Sequence, residues 1–330
     1  MGFLLSLFFG FVPMFVFAGV LYWLDRYEKE PKILLVGAFI WGAVVAAGVA
    51  FVVNTLLGVG VYFFTGSEAA AEIATGSLVA PPVEETLKGL AVLLVFLFFR
   101  REFDSVLDGI VYAGITALGF AATENTYYIY QYGFLDGGYE GLLWLVFVRV
   151  ILVGWQHPFY TAFIGIGLAT ARLNRKIWIQ ALAVCAGWGI AMAAHSVHNT
   201  LASLLSGLGG LALGTMLDWS GWFFMFLVIL WAISRVQQRI RKYLLSEVEN
   251  GLISKAQYRV ACSALSQGPL RFKGLLSGRY HETRRFYQLC AELAHKKFQL
   301  ERFGNEGHNL QIIEQTRVEL ARLAPRAIST

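Results

Sequence analysis

Four short polar clusters interrupt an otherwise apolar sequence: Glu84-Glu85-Thr86-Leu87-Lys88, Glu124-Asn125, Gln156-His157-Pro158 and His195-Ser196-Val197-His198-Asn199. Hydrolysis of a peptide bond needs an activated water, a stabiliser for the developing oxyanion and a proton donor for the leaving amine. Carboxylates, histidines and an asparagine supply all three. The same residue types could instead hold zinc, with two histidines and a glutamate as ligands and water in the open position. If a Zn2+ ion is bound, the candidates are Glu85, Glu124, His157, His195 and His198. The residue types alone do not choose between the two chemistries.

Spacing puts several of these side chains together. Glu84 and Glu85 stand four and three residues before Lys88, so the lysine can neutralise one acid from its own helix and leave the other free. His195, His198 and Asn199 share one helical face. Arg149 lies about two turns outward from His157 and can pair with an acid.

The elements that carry these clusters read as membrane spans. The 330-residue chain is 57% hydrophobic and 15% charged, with mean hydropathy +0.57. A soluble domain is nearer 45–50% apolar and about 25% charged. Crossing about 30 Å of hydrocarbon takes roughly 20 apolar helical residues. By that measure the sequence predicts about seven spans, near 3–24, 33–64, 78–99, 106–130, 142–171, 177–206 and 212–234, with a kink at His157-Pro158 in the fifth. The first stretch lacks the basic start and cleavage site of a signal peptide and reads as a retained helix. The fold expected is an all-α, polytopic transmembrane bundle followed by a helical tail.

Charge divides the chain in the same way. Residues 1–234 carry a net charge of −4 and residues 235–330 a net charge of +9. Two domains are expected: 1–234, a transmembrane helical domain, and 235–330, a basic helical one. Lys and Arg follow the first, third, fifth and seventh spans (Arg26, Lys29 and Lys32; Arg100 and Arg101; Arg172, Arg175 and Lys176; Arg235 onward), while the alternate loops have none. By the positive-inside rule the N-terminus lies outside and the tail in the cytoplasm. The tail reads as helices near 236–249, 254–266, 280–303 and 308–323, broken at Gly268-Pro269 and Gly304, with a positive face suited to anionic lipid. It has no recognised nucleic-acid motif. The three cysteines (Cys185, Cys262, Cys290) fit neither a disulfide framework nor a zinc finger.

Ionisable residues within spans are costly and mark function. Only 11 residues separate Lys88 from the Arg100-Arg101 stop, about 16 Å of helix, so the Glu-Glu-Lys turn is drawn into the membrane. Counted from the outer ends, Glu84, Glu124, His195 and His198 lie roughly 9–17 Å deep. Acids, histidines and an asparagine therefore converge in the outer half of the bilayer.

The motif order adds a resemblance. EETLK at 84–88 matches EExxK, FAATEN at 120–125 matches FxxxEN, and His157 and His195…Asn199 follow in order, while HExxH, GxSG and GxGD are absent. In this the chain resembles the PrsW family of intramembrane proteases, related to the type II CAAX prenyl endopeptidase (ABI) superfamily. The likeness covers about residues 1–250, including the WLDRYEKEP turn. It implies that Glu84 activates water, with Glu85 and Lys88 as paired support. His195 would orient the water or protonate the amine, and Asn199 would help stabilise the oxyanion. Glu124, beside Asn125, stands where the ABI relatives carry histidine, so its role is open between ligand and acid. A membrane-anchored protein substrate is implied, an anti-sigma factor among the family's examples, in a bacterial inner membrane. No role for the tail follows. Two competing readings are a proton- or ion-coupled transporter, against which the chain shows no paired halves, and a scaffold that signals through its tail.

Overall fold

The architecture comes from a computed structural model that describes residues 1–25, 29–205 and 207–329, so Arg26 and its place in the first basic loop lie outside the described residues. Fourteen α-helices account for most of them, and no strand occurs among them. In chain order they are α1 Gly2–Leu24, α2 Lys32–Ile40, α3 Ala47–Thr65, α4 Glu68–Ala74, α5 Ala80–Phe98, α6 Val106–Tyr128, α7 Leu135–Val146, α8 Gln156–Leu173, α9 Ile177–Leu204, α10 Gly207–Glu249, α11 Lys255–Ala261, α12 Ala264–Leu276, α13 Tyr280–Phe303 and α14 Asn309–Leu323. The chain is an all-α membrane protein.

By length and apolarity, five helical runs could each cross a bilayer: Gly2–Leu24, Lys32–Thr65, Val106–Leu173, Ile177–Leu204 and Gly207–Glu249. Two features separate this count from seven. The 80–98 stretch carries Glu84, Glu85 and Lys88, which lower its hydropathy. The 68-residue run from Val106 to Leu173 is folded, because α6 packs against α8 and Gly138 leaves the helical region at φ 60°. The break before His157 also differs from a simple proline kink. It falls at 153–155, and Pro158 sits in the first turn of α8, where its missing N–H removes no intrahelical bond.

The chain divides into two compact units, one of residues 1–24 and 30–228, the other of 25–29 and 229 onward. In the first, α6 is the central rod, buried almost throughout from Leu107 to Ala122. Small residues let its neighbours approach closely, as membrane helices do without a hydrophobic drive between them. A Cβ on Gly109 or on Gly165 would overlap the carbonyl of the other, fixing α6 against α8. Gly167 and Gly187 face each other, and a Cβ on Gly167 would overlap the Ala183 carbonyl and one on Gly187 the Phe163 carbonyl, which fixes α8 against α9. A Ser105/Asp108 capping box starts α6.

The second unit has its own core, including Ile240, Leu244, Phe286, Leu293 and Leu320. Buried Glu247 lies 2.7 Å from Lys297 and 2.8 Å from Arg317. Position 234 falls inside α10, which runs unbroken from Gly207 to Glu249. The break expected at Gly268-Pro269 is absent: Ser263 caps a helix that begins before the proline and continues through it.

Candidate active site

Five elements deliver the polar residues to one cavity of about 1390 Å³. Glu84 comes from α5, Glu124 and Asn125 from α6, His157 from α8, and His195, His198 and Asn199 from α9; all line it. Asn54 of α3 lines it too. The volume exceeds the 300–1,000 Å³ of common small-molecule pockets.

Glu85 and Lys88 sit behind this surface, both fully buried and 2.5 Å apart. Thr161 donates to the other Glu85 oxygen at 2.8 Å, and the Lys88 ammonium lies 4.3 Å from the centre of the Phe120 ring. A buried ion pair persists only when its remaining hydrogen-bonding capacity is met, and Thr161 and Phe120 help meet it. Lys88 thus neutralises Glu85 rather than Glu84, from which it is 3.9 Å.

Glu84 is the less satisfied acid. Asn54 donates to its Oε1 at 3.3 Å, but its buried Oε2 has no hydrogen-bond partner. His195 Nε2 stands 3.8 Å from that oxygen. On the far side of the ring, His195 Nδ1 lies 2.9 Å from Glu85. Donation of Nδ1–H to Glu85 leaves Nε2 as a lone pair facing Glu84. Tyr160 stacks on the ring at 4.8 Å between centroids and holds its plane.

Glu124 is held from two directions, by Arg149 at 2.5 Å and by His157 Nε2 at 2.8 Å. Arg149 also donates from Nε to the Asn125 side-chain oxygen at 2.9 Å. Asn199 lines the cavity, yet its amide nitrogen donates to the Gly76 carbonyl at 2.8 Å. That bond ties α9 to the π-helical stretch Thr75–Val79.

Glu84, His157 and His195 each offer a ligand atom, and the three atoms lie within 4.8 Å of one another. A cation suits the first and last, whose facing lone pairs have no donor between them. It suits His157 poorly. Lys88 Nζ is 3.2 Å from its Nδ1, and its Nε2 donates to Glu124. A neutral imidazole has one lone pair, and here Lys88 takes it. Catalytic zinc sites use three protein ligands, so the set as arranged is one short.

The family model described as "PrsW family intramembrane metalloprotease" matches residues 30–233. The chain belongs to the PrsW family of intramembrane proteases. It is similar to the protease PrsW of Bacillus subtilis (strain 168), 26% identical over 230 residues, which is 67% of this chain and 88% of that protein. The protease PrsW of Geobacillus kaustophilus is 28% identical over 167 residues, 51% of this chain and 67% of that one. With the Clostridioides difficile protease PrsW identity is 37% over 108 residues, 32% of this chain and 43% of that one. No solved structure matches the chain. Membership in this PrsW family makes the chain a protease, and so a hydrolase.

Sequence reasoning passed over Asn54, Tyr160, Thr161 and Asp218, the last of which lies 3.1 Å from His198 Nδ1. Asp218 carried a signal, an acid within the apolar 212–234 run. The other three are uncharged and have no such mark.

Proposed function

We propose that this chain cleaves single-pass, membrane-anchored proteins within the bilayer, with Glu84 as the general base. The observation that carries the reading is the unpartnered Glu84 Oε2 facing His195 Nε2, with Glu85 behind the histidine. Glu84 takes the proton of a water placed by Asn54 and His195. Lys88 keeps Glu85 charged and Glu85 keeps His195 in the required tautomer, so these two act through the histidine. Arg149 and His157 hold Glu124 at the cavity wall, where the Glu124–Arg149 pair can bind the substrate backbone. Asn199 acts as a strut under Gly76 in this reading, and its second amide hydrogen remains for an oxyanion.

The basic loops support seven crossings, N-terminus outside, in a bacterial inner membrane, with cleavage in the outer half of the bilayer and 235–330 as a cytoplasmic domain beside anionic lipid. The family resemblance supports a regulatory substrate such as an anti-sigma factor, and nothing in the tail supports nucleic-acid binding. Conversion of Glu84 to Gln in purified, reconstituted protein should abolish cleavage of a single-pass test substrate while insertion and melting are unchanged. Retained cleavage would remove the general-base assignment.

A second reading has one observation in its favour, the three ligand atoms within 4.8 Å. Glu84, His195 and His157 would then hold Zn2+, His157 turning to the metal the lone pair that now faces Lys88, and the metal would supply Lewis-acid activation of water. Loss of activity to a chelator, with recovery on zinc but not magnesium, would establish it. Activity that survives exhaustive chelation would exclude it.

A further inference from the structure

Three histidines line the cavity, and two of them are fully engaged or turned inward. His157 is bracketed by Lys88 and Glu124. His195 is 3% exposed, with one nitrogen on Glu85 and the other facing Glu84. His198 differs. Its side chain is 22% exposed, and both of its polar contacts fall on Nδ1, leaving Nε2 for the cavity.

Asp218 fixes that arrangement. It projects from the apolar first half of α10 and its Oδ1 stands 3.1 Å from His198 Nδ1. Trp219, the next residue, donates to the Leu152 carbonyl at 2.9 Å and anchors the same turn of α10. An aspartate at this position is costly to bury, and its hydrogen bond to a histidine that faces a catalytic cavity explains its presence. Gln156 touches Nδ1 as well, at 2.8 Å. Nδ1 carries one hydrogen, and a half-turn of the Gln156 amide lets its oxygen share that hydrogen with Asp218. Tyr160 is a further ionisable neighbour, its ring 6.2 Å from that of His198, and His195 lies three residues earlier on the same helix.

We infer that His198, oriented by Asp218, is the proton donor to the leaving amine. The inference rests on the peptidase reading above. The water oxygen bonds to the carbonyl carbon while its proton passes to Glu84. The C–N bond then breaks, and the nitrogen takes the proton on His198 Nε2. Glu84 returns its proton to His198 through cavity water, so an acid and an amine are the only products. Asp218 is a positioning residue that stabilises the imidazolium, as a carboxylate does behind a catalytic histidine.

The test compares two substrates of the full-length protein in detergent, an amide and the same sequence with an ester at the scissile bond. An alkoxide leaves more readily than an amine and depends less on a donated proton. General acid–base catalysis contributes about 10²–10⁴-fold. His198→Gln should therefore slow amide cleavage by about 10²-fold or more while ester cleavage stays within a few-fold of wild type. Asp218→Asn, which keeps the side-chain volume, should show the same selectivity to a lesser degree, with KM unchanged. Equal slowing of both substrates, or unchanged amide cleavage by both variants, overturns the inference. A wild type that cleaves neither substrate ends the peptidase reading and this one with it, so the two failures are distinct.

Discussion

Glu85 holds His195 through Nδ1 at 2.9 Å, on the opposite side of the ring from Glu84. Two adjacent glutamates of one helix turn thus take different work. One is buried against Lys88 and sets the histidine, and the other meets the cavity. In the proposed reading this division gives each acid its own task and the lysine one principal partner.

The first prediction follows from the buried pair. Glu85→Leu leaves Lys88 as a buried charge with its principal partner gone, which costs about 3–5 kcal/mol. The melting temperature of detergent-solubilised protein should fall sharply. A double change, Glu85→Leu with Lys88→Met, removes both charges at similar volume and should restore much of the stability. Cleavage should stay lost in the double variant, because His195 no longer has its acceptor. Recovery of activity along with stability would show that the pair only supports the fold.

How far the sequence discloses this site depends on the kind of interaction. Glu84, Glu124, His157, His195 and Asn199 are legible because each is polar in an apolar run. Their partners are less so: Arg149 reads as a partner for an acid, but which acid does not follow from spacing. His195 and Glu85 are 110 positions apart, and Glu124 and Arg149 are 25 apart. Such pairings follow from helix packing, which Gly109–Gly165 and Gly167–Gly187 determine through backbone contact rather than through any periodic pattern. Asn199 shows the consequence: its residue type suggests an oxyanion donor, while its position also makes it a tie to Gly76. The helical nature of the chain is easier to read, since apolar runs of this length leave little else. The fold within 106–173 is harder, because the break at 153–155 has no proline or paired glycines of its own.

The glycine contacts give the second prediction. Gly165→Val places side-chain atoms on the Gly109 carbonyl and should force α6 and α8 apart. Overpacking costs about 1–3 kcal/mol where neighbours can shift, and backbone can shift less than a side chain. Loss of folded protein, or of both stability and cleavage, is expected. Gly189→Ala meets nothing within 4 Å and should behave as wild type. Equal tolerance of the two changes, read by size-exclusion profile and melting, would show that the close approach is not essential.

A third prediction concerns Arg149. It bonds Glu124 and Asn125 together and lies 4.0 Å from the centre of the Tyr128 ring. Lysine can keep the charge but not the planar, two-nitrogen contact. Arg149→Lys should lower kcat about tenfold or more, an estimate from the 1.5–3 kcal/mol of a charged hydrogen bond. Arg149→Met should lower it further and should be partly relieved by Glu124→Gln, which removes the acid left uncompensated. Additive losses in the double variant would mean that the two side chains do not act on each other.

The fourth prediction addresses the C-terminal unit, where thiol chemistry reports the core. Burial pushes the thiols of Cys262 and Cys290 up from their ordinary value. The thiolate is the reactive form, so a raised value means less thiolate at any pH below it. Both side chains are also closed to reagent, at 5% and 0% exposure. With the exposed Cys185 changed to alanine, native protein at pH 8 should take up essentially no maleimide, and protein unfolded in detergent should take up two equivalents. Raising the pH to 9 should change the native result little, because access and not only ionisation is restricted. Rapid labelling of either cysteine in the native protein would mean that α11 and α13 do not pack around a closed core.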